Sequence, residues 1–306
     1  MRVLSVGVAV VDHVFHVDRF PERAEKYRAL DAAVIGGGGG ANAAVALARL
    51  GAEAWLAART GDDAPAGTIH DDLRAEGVRT DLVLRAAGRR SSFSSVLIDA
   101  GGERQIVNFR DTGLPTDPGW LRERLDAMEA EGTGFDAVVC DTRWVEGSVA
   151  AVEHARARGV PAVMDVEAPA MEGEAALELC THAVFSAQGL RDFAGHGGPL
   201  EDALREADRR LEAIVGVTDG PDGVRWIEGG VLHHLPPPAP PEPIVDTLGA
   251  GDVWHAGLAL ALAEAQPLPD AMAFANAAAT LKCTGGGGRG AAPTRDAVEA
   301  LLRRGS

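Results

Sequence analysis

Lysine and tyrosine are nearly missing from this chain of 306 residues. Lys26 and Lys282 are the only lysines and Tyr27 the only tyrosine, and arginine supplies the rest of the positive charge. Cysteine is scarce too. Cys140, Cys180 and Cys283 are too few and too scattered for a disulfide framework or a zinc site, and each lies in an apolar or helical run that reads as a buried thiol. No run of about 18 apolar residues occurs, so no membrane span is expected. The opening residues Met1–Gly7 read as a strand without a small-residue cleavage site, so no signal peptide is expected and the cytoplasm is the expected compartment. Positive charge is in deficit: Lys plus Arg total 29 against 45 for Asp plus Glu, a net charge of −16 that would repel a nucleic-acid backbone. No Walker-type G-x-x-x-x-G-K-[ST] is present, so an ATP site here is not a P-loop. The histidine pairs His13/His16 and His233/His234 lack matching acidic or thiolate partners, so no metal-ligand set is read from them.

What is present is an ordinary globular composition, 46% apolar and 24% charged, long enough for a large buried core. Strand-like runs alternate with Ala/Leu/Arg helices. Strands are expected at Arg2–Val11, Ala52–Ala58, Ala137–Asp141, Ala162–Asp165, Ala183–Ser186 and Ile214–Thr218. Helices are expected at Ala41–Leu50, Ala64–Glu76, Gly147–Arg158, Glu174–Cys180 and Leu200–Leu211. That rhythm predicts an α/β fold: a parallel sheet with helices on both faces and ligands beyond the strands' carboxyl ends. Two segments break it. Val14–Val34 is polar and alternating, and Ser91–Asp99 with Glu103–Phe109 reads as a hairpin around Ala100–Gly102. They suit either a small antiparallel lid or a decorated sheet edge. Pro236–Pro243, with six prolines in eight residues, reads as an extended connector.

The strongest motif is Asp246-Thr247-Leu248-Gly249-Ala250-Gly251-Asp252, running straight into an apolar helix. The amides of Gly249, Ala250 and Gly251 would face the space before that helix, where free N–H groups and the helix dipole make an anion site. A carboxylate at Asp252, beside such a site, suits a general base acting on an attacking hydroxyl. A second motif is Gly36–Gly40 followed by Ala41 and Asn42, which allows close backbone approach to a ligand. It also contains G-x-G-x-x-A, but the next strand ends at Arg59 where a dinucleotide site wants an acid. A third, Thr218-Asp219-Gly220-Pro221-Asp222-Gly223, is a glycine turn after a strand, suited to a nucleotide contact.

Together these motifs resemble the ribokinase-like (PfkB) carbohydrate kinases, along essentially the whole chain, read as one domain over residues 1–306 with a lid formed by about 13–34 and 91–111. The resemblance implies ATP and Mg²⁺, with Asp252 as base and Gly249, Ala250 and Gly251 as anion hole. It also implies Asp12, Gly37, Gly38 and Asn42 at the sugar, and Thr218, Gly220, Gly223 and Asn276 at the nucleotide. Family lid sheets often pair between subunits, which implies a homodimer. One departure is plain: where many members carry Asn-x-x-Glu near the metal, this chain reads Ser186-Ala187-Gln188-Gly189.

Within the family the chain looks most like bacterial sulfofructose kinases, through Glu25-Lys26-Tyr27, Ile106-Val107-Asn108-Phe109, Asp141-Thr142-Arg143-Trp144, Phe185-Ser186 and Leu281-Lys282-Cys283-Thr284. Lys26, Asn108 and Arg143 would then hold a terminal sulfonate, which needs cations as a neutral sugar does not. The alternatives are a solvated Lys26 with Arg143 paired to Asp141 or Glu146, a kinase of an unsulfonated sugar (fructose or 2-keto-3-deoxygluconate type), and a sugar or nucleotide sensor without catalysis.

Overall fold

The computed structural model describes residues 1–101, 103–195 and 197–305. In chain order the strands are β1 Arg2–Val6, β2 Val10–His16, β3 Asp31–Gly37, β4 Glu53–Gly61, β5 Arg79–Ala86, β6 Phe93–Ile98, β7 Arg104–Phe109, β8 Ala137–Cys140, β9 Ala162–Val166, β10 His182–Ser186, β11 Ile214–Thr218, β12 Val224–Glu228 and β13 Val231–Leu235. The helices are α1 Gly39–Arg49, α2 Ala64–Ala75, α3 Gly119–Ala130, α4 Val145–Arg158, α5 Glu174–Leu177, α6 Ala187–Ala194, α7 Leu200–Arg210, α8 Ala250–Ala263, α9 Leu268–Cys283 and α10 Arg295–Gly305. Among the described residues no helix is long and apolar enough to cross a membrane.

Nine strands form the main sheet in the order β13-β12-β11-β10-β9-β8-β1-β4-β5, parallel except for the antiparallel pairs of β12 with β11 and β13. Alternation along β1, β8 and β9 feeds two cores. Leu4, Val6, Val138 and Cys140 pack with residues of α3 through α7, whereas Val3, Ala137, Val139 and Val163 pack with α1, α8, α9 and α10. The second sheet, β3-β2-β6-β7, is the expected lid. Its β2–β3 and β6–β7 pairs are antiparallel, and β2 joins β6 in parallel. Gly102 of the expected hairpin turn lies outside the described residues.

The single strand expected at Arg2–Val11 is in fact two. β1 belongs to the main sheet, the chain leaves it at Gly7, and β2 begins the lid. At the departure point the Asp141 carboxylate accepts the Val8 N–H (2.8 Å) and fills the space beside Gly7, where a Cβ would lie 2.1 Å from Oδ2. α1 begins two residues before the expected Ala41, so Gly39 and Gly40 form its first turn. The strand β5, the hairpin β12–β13 and helix α3 were not expected from the pattern. Cys140 and Cys180 are buried and burial pushes both thiols up, but Cys283, at the end of α9, is only half-buried, against expectation.

α1 crosses β1 at close range. A Cβ on Gly40 would sit 2.8–2.9 Å from the main chain of Gly7. Gly40→Ala is expected to destabilise by about 1–3 kcal/mol through overpacking, a fall of several degrees in Tm by calorimetry. An unchanged Tm would show that the crossing relaxes freely.

Candidate active site

The register of three parallel strands builds the site floor. Val6 pairs with Cys140 and Cys140 with Met164, so Gly7, Asp141 and Asp165 fall side by side at one sheet edge. A cavity of about 410 Å³ lies between these strand ends and the lid. Asp12, Ser94, Asn108 and Arg110 line it from the lid side, and Asp141, Arg143, Asp165, Glu167 and Asp252 from the core.

Two helix N-termini open into this cavity, and neither has a side-chain cap on its first residues. α1 follows Gly38, whose φ of +94° suits glycine. α8 follows Gly249, at φ +79°. The Ala250 amide turns back to the Thr247 carbonyl (3.2 Å), so it is not available to an anion as expected. The amides of Gly249, Gly251 and Asp252 meet no acceptor among the described residues. Those are the orphan donors that favour an anion.

Asp252 is joined to α1 by a 2.7 Å bond from Asn42 Nδ2 to its Oδ2. Burial and then repulsion from Asp165 push its carboxyl up to about 8, and the Asn42 bond opposes this. Asp165 is itself raised well above the ordinary range, by burial and by Glu167 and Asp141. Asp141 is raised by burial although it accepts N–H bonds from Val8 (2.8 Å), Gly40 (3.0 Å) and Arg143 (2.8 Å). One turn beyond Asp252, His255 has Nδ1 2.8 Å from the Gly251 carbonyl and 3.5 Å from Asp165 Oδ2. Mutual repulsion among these carboxylates makes the cavity receptive to a cation. Among the described residues, however, no three metal-ligating side chains cluster. A magnesium ion would therefore be held largely through water and phosphate oxygens, with cavity-wall carboxylates such as Asp165 and Glu167 available to it. Ser186, where the family Asn-x-x-Glu would begin, is used locally: its Oγ accepts the Gly189 N–H (3.0 Å) and caps α6.

The expected sugar residues Asp12, Gly37, Gly38, Asn42, Asn108 and Arg143 all line the cavity. Asp12 sits on β2 of the lid and not at the end of the first strand, and its carboxylate lies where a side chain on Gly37 would be. Burial raises its pKa, while Ser94 and Arg289 pull it down. Lys26 does not reach the cavity. It is exposed in the irregular stretch between β2 and β3, where hydrogen bonds are local, such as Glu22 and Arg23 amides to the Tyr27 hydroxyl (3.1 Å each). Arg143 pairs with neither Asp141 carboxylate oxygen nor Glu146 through its guanidinium, but with Glu167 at 2.7 Å.

Thr218, Gly220 and Gly223 stand at the end of β11 and in the turn to β12, with φ of +50° and +79° at the two glycines, outside the cavity lining. Asn276 is buried on α9 with its amide engaged at both ends: Trp254 Nε1 donates to Oδ1 (2.8 Å), and Nδ2 donates to the Leu235 carbonyl (3.1 Å). It ties α8, α9 and β13 together and lies outside the cavity lining. Asp165, Glu167, Arg104, Arg110 and Arg289 line the cavity but were not singled out. Position at the carboxyl end of β9 was the available signal for the first two.

The comparisons with known proteins agree with this geometry. The model of the pfkB family carbohydrate kinases matches residues 1–295. Ribokinase of Bacillus subtilis (strain 168) is 32% identical over 302 residues, covering 98% of this chain and 99% of that one. Ketohexokinase of Mus musculus is 26% identical over 303 residues, covering 92% and 96%. A provisionally named ribokinase from Agrobacterium tumefaciens has a crystal structure that superposes with a TM-score of 0.90 at 35% identity, covering 99% and 97%. Arabidopsis thaliana ribokinase complexed with ribose and ATP shares the fold, at a TM-score of 0.85, 23% identity and coverage of 99% and 98%. With a family model spanning nearly its whole length, the chain belongs to the pfkB family and is an ATP-dependent carbohydrate kinase.

Proposed function

We propose that this kinase acts on a sugar with an anionic end, with 6-deoxy-6-sulfofructose as substrate and its C1 hydroxyl as acceptor. The observation that carries the reading is one cavity lined both by Asp252, in the first turn of a helix without a side-chain cap, and by two arginines, Arg143 from the core and Arg110 from the lid. Arg110 has no acidic partner among the described residues and takes the part expected of Lys26. With Asn108 beside it on the lid, the set suits the three oxygens of a sulfonate.

In this mechanism Asp252 takes the proton of the attacking hydroxyl as its oxygen bonds the γ-phosphorus of ATP. The bond from that phosphorus to the bridging oxygen breaks, and ADP leaves with the electron pair. The Gly249 and Gly251 amides face the charge that develops on the phosphoryl oxygens. Magnesium, when bound, neutralises phosphate charge. The lid closes the cavity from water. The exposed apolar side chains Phe15, Leu30, Val34 and Val107 lie on the lid and its loop, which supports pairing with a second copy there.

A second reading, ribose, is favoured by one observation: Glu167 already neutralises Arg143. A kinase screen with ribose, fructose, fructose 6-phosphate, sulfofructose and 2-keto-3-deoxygluconate separates the two. The sulfosugar is expected to lead, and ribose in first place overturns the sulfonate assignment.

The raised Asp252 carboxyl has a kinetic consequence. A base must be ionised, so kcat/KM falls as pH drops through the pKa of the free enzyme. Burial and Asp165 place that limb near neutrality, at about 8, and not near the usual 3.8. Asp165→Asn removes the repulsion and moves the limb to lower pH. A limb that stays in place in this variant would show that burial alone sets it.

A further inference from the structure

Lys282 is the only lysine besides Lys26, and its side chain is fully buried at 0% exposure. A buried ammonium is costly unless its protons find acceptors. Here they go to a single residue. Nζ lies 2.9 Å from the Asp246 main-chain oxygen and 3.3 Å from Asp246 Oδ2.

Asp246 begins the turn that leads to the catalytic helix, and its two carboxylate oxygens do different things. Oδ1 accepts the Leu248 N–H (2.9 Å), which closes the turn immediately before Gly249, and meets Arg104 Nη2 of the lid strand at 3.2 Å. Oδ2 faces Lys282 and the Gly288 N–H (3.4 Å). The main chain is pinned separately, by Val245 and Asp246 amides to the Cys283 carbonyl at 2.8 and 3.1 Å. Loss of the ammonium therefore leaves the segment attached to α9 but removes the buried charge that holds Asp246 Oδ2, so that the carboxylate keeps only the Leu248 and Gly288 amides and the Arg104 guanidinium and its set against the turn loosens. The carboxylate is the part that holds Leu248. Burial alone would raise the Asp246 carboxyl, but the Leu248 amide and the Lys282 charge outweigh it and hold the group ionised.

We propose that Lys282 is a positioning residue for phosphoryl transfer: through Asp246 it fixes the turn that aims the Gly249 and Gly251 amides and the Asp252 carboxylate at the reacting phosphate. It touches no substrate itself, and the proposal rests on the reading of Asp252 and the bare N-terminus of α8 as the catalytic centre. That reading is tested separately, by sugar-dependent ADP release in the wild-type protein.

The test is a double-variant cycle with Lys282→Met, Asp246→Asn and both together. For each, Tm, kcat and the KM values for sugar and ATP are measured. Lys282→Met is expected to lower kcat by about 10²-fold through misplacement of the turn, with both KM values within about threefold of wild type. The losses from the two single changes should combine to less than their sum, because both break the Lys282–Asp246 contact, with Asp246→Asn losing the Arg104 ion pair besides. Removing one partner of a buried pair can prevent folding, but the double variant leaves neither member of the Lys282–Asp246 pair alone, and Arg104, 25% exposed, keeps the Thr247 hydroxyl at 3.0 Å. The double variant is expected to fold and to remain slow. A double variant with wild-type kcat overturns the proposal. So do single losses that add, or a folded Lys282→Met protein with kcat within about twofold of wild type. Any of these would reduce Lys282 to a strut for α9.

Discussion

Asp252→Asn is expected to lower kcat by about 10²–10⁴-fold, the usual loss for a missing general base, while ATP binding stays close to wild type. The two effects separate because different atoms are involved. The phosphates would meet the amides of Gly249 and Gly251, which the substitution leaves in place. The carboxamide keeps the shape of the carboxylate and can still meet Asn42, now 2.7 Å from Asp252 Oδ2, so the link between α8 and α1 survives. Removing the carboxylate also relieves the repulsion with Asp165. The variant is therefore expected to be at least as stable as wild type, which makes lost turnover readable as lost chemistry. Steady-state kinetics with calorimetric ATP titration measures both quantities. Turnover near wild type would reduce Asp252 to a helix-end residue.

Much of the catalytic turn was legible because its information is local. Asp246–Asp252 carries its own turn glycine, its own carboxylate and an apolar helix directly after it. Strand β11 falls at the expected Ile214–Thr218 for a similar reason, since a short apolar run ends at a glycine turn. The rest of the site depends on register. Asp165 becomes a neighbour of Asp141 only because β8 and β9 pair Cys140 with Met164, and no periodicity in the chain announces that pairing. The need for glycine at position 7, where the first strand breaks, has the same origin, as a carboxylate 134 positions away at Asp141 fills the space beside it. Lys26 failed in the opposite sense. Its sequence neighbourhood placed it in the lid, but a loop held by local bonds does not direct a side chain to the cavity. Asn276 was assigned by resemblance, and the indole of Trp254 and the Leu235 carbonyl turn out to occupy its amide.

The second large effect concerns the substrate's charge. Sulfofructose is expected to exceed fructose in kcat/KM by about 10²–10⁴-fold, if two charge-assisted contacts contribute roughly 1.5–3 kcal/mol each in the closed site. Arg143→Ala and Arg110→Ala should each erode that preference and leave the KM for ATP unchanged. For Arg143 the substitution also frees Glu167, whose carboxylate now sits 2.7 Å from the guanidinium. An unpaired acid facing the sugar would repel an anion further, so Arg143→Ala should cost more than Arg110→Ala. Lys26→Ala should change nothing, since that side chain is solvent-exposed and away from the cavity. Fructose 6-phosphate, with an anion at the same end, should be the nearest competitor. The measurement is kcat/KM for the three sugars in wild type and the three variants. Equal activity on fructose and sulfofructose would end the sulfonate assignment and leave the chemistry at Asp252 standing.

The central claim is phosphoryl transfer from ATP to a sugar hydroxyl in the cavity between the strand ends and the lid. Its most direct test is the stoichiometry of products. Wild-type protein is incubated with ATP, magnesium and each sugar of the panel, ADP is measured enzymatically, and the phosphosugar is identified by phosphorus NMR. The account predicts one phosphosugar for each ADP, formed only when a sugar is present. ADP released at the same rate without sugar, or no phosphosugar from any member of the panel, would contradict it.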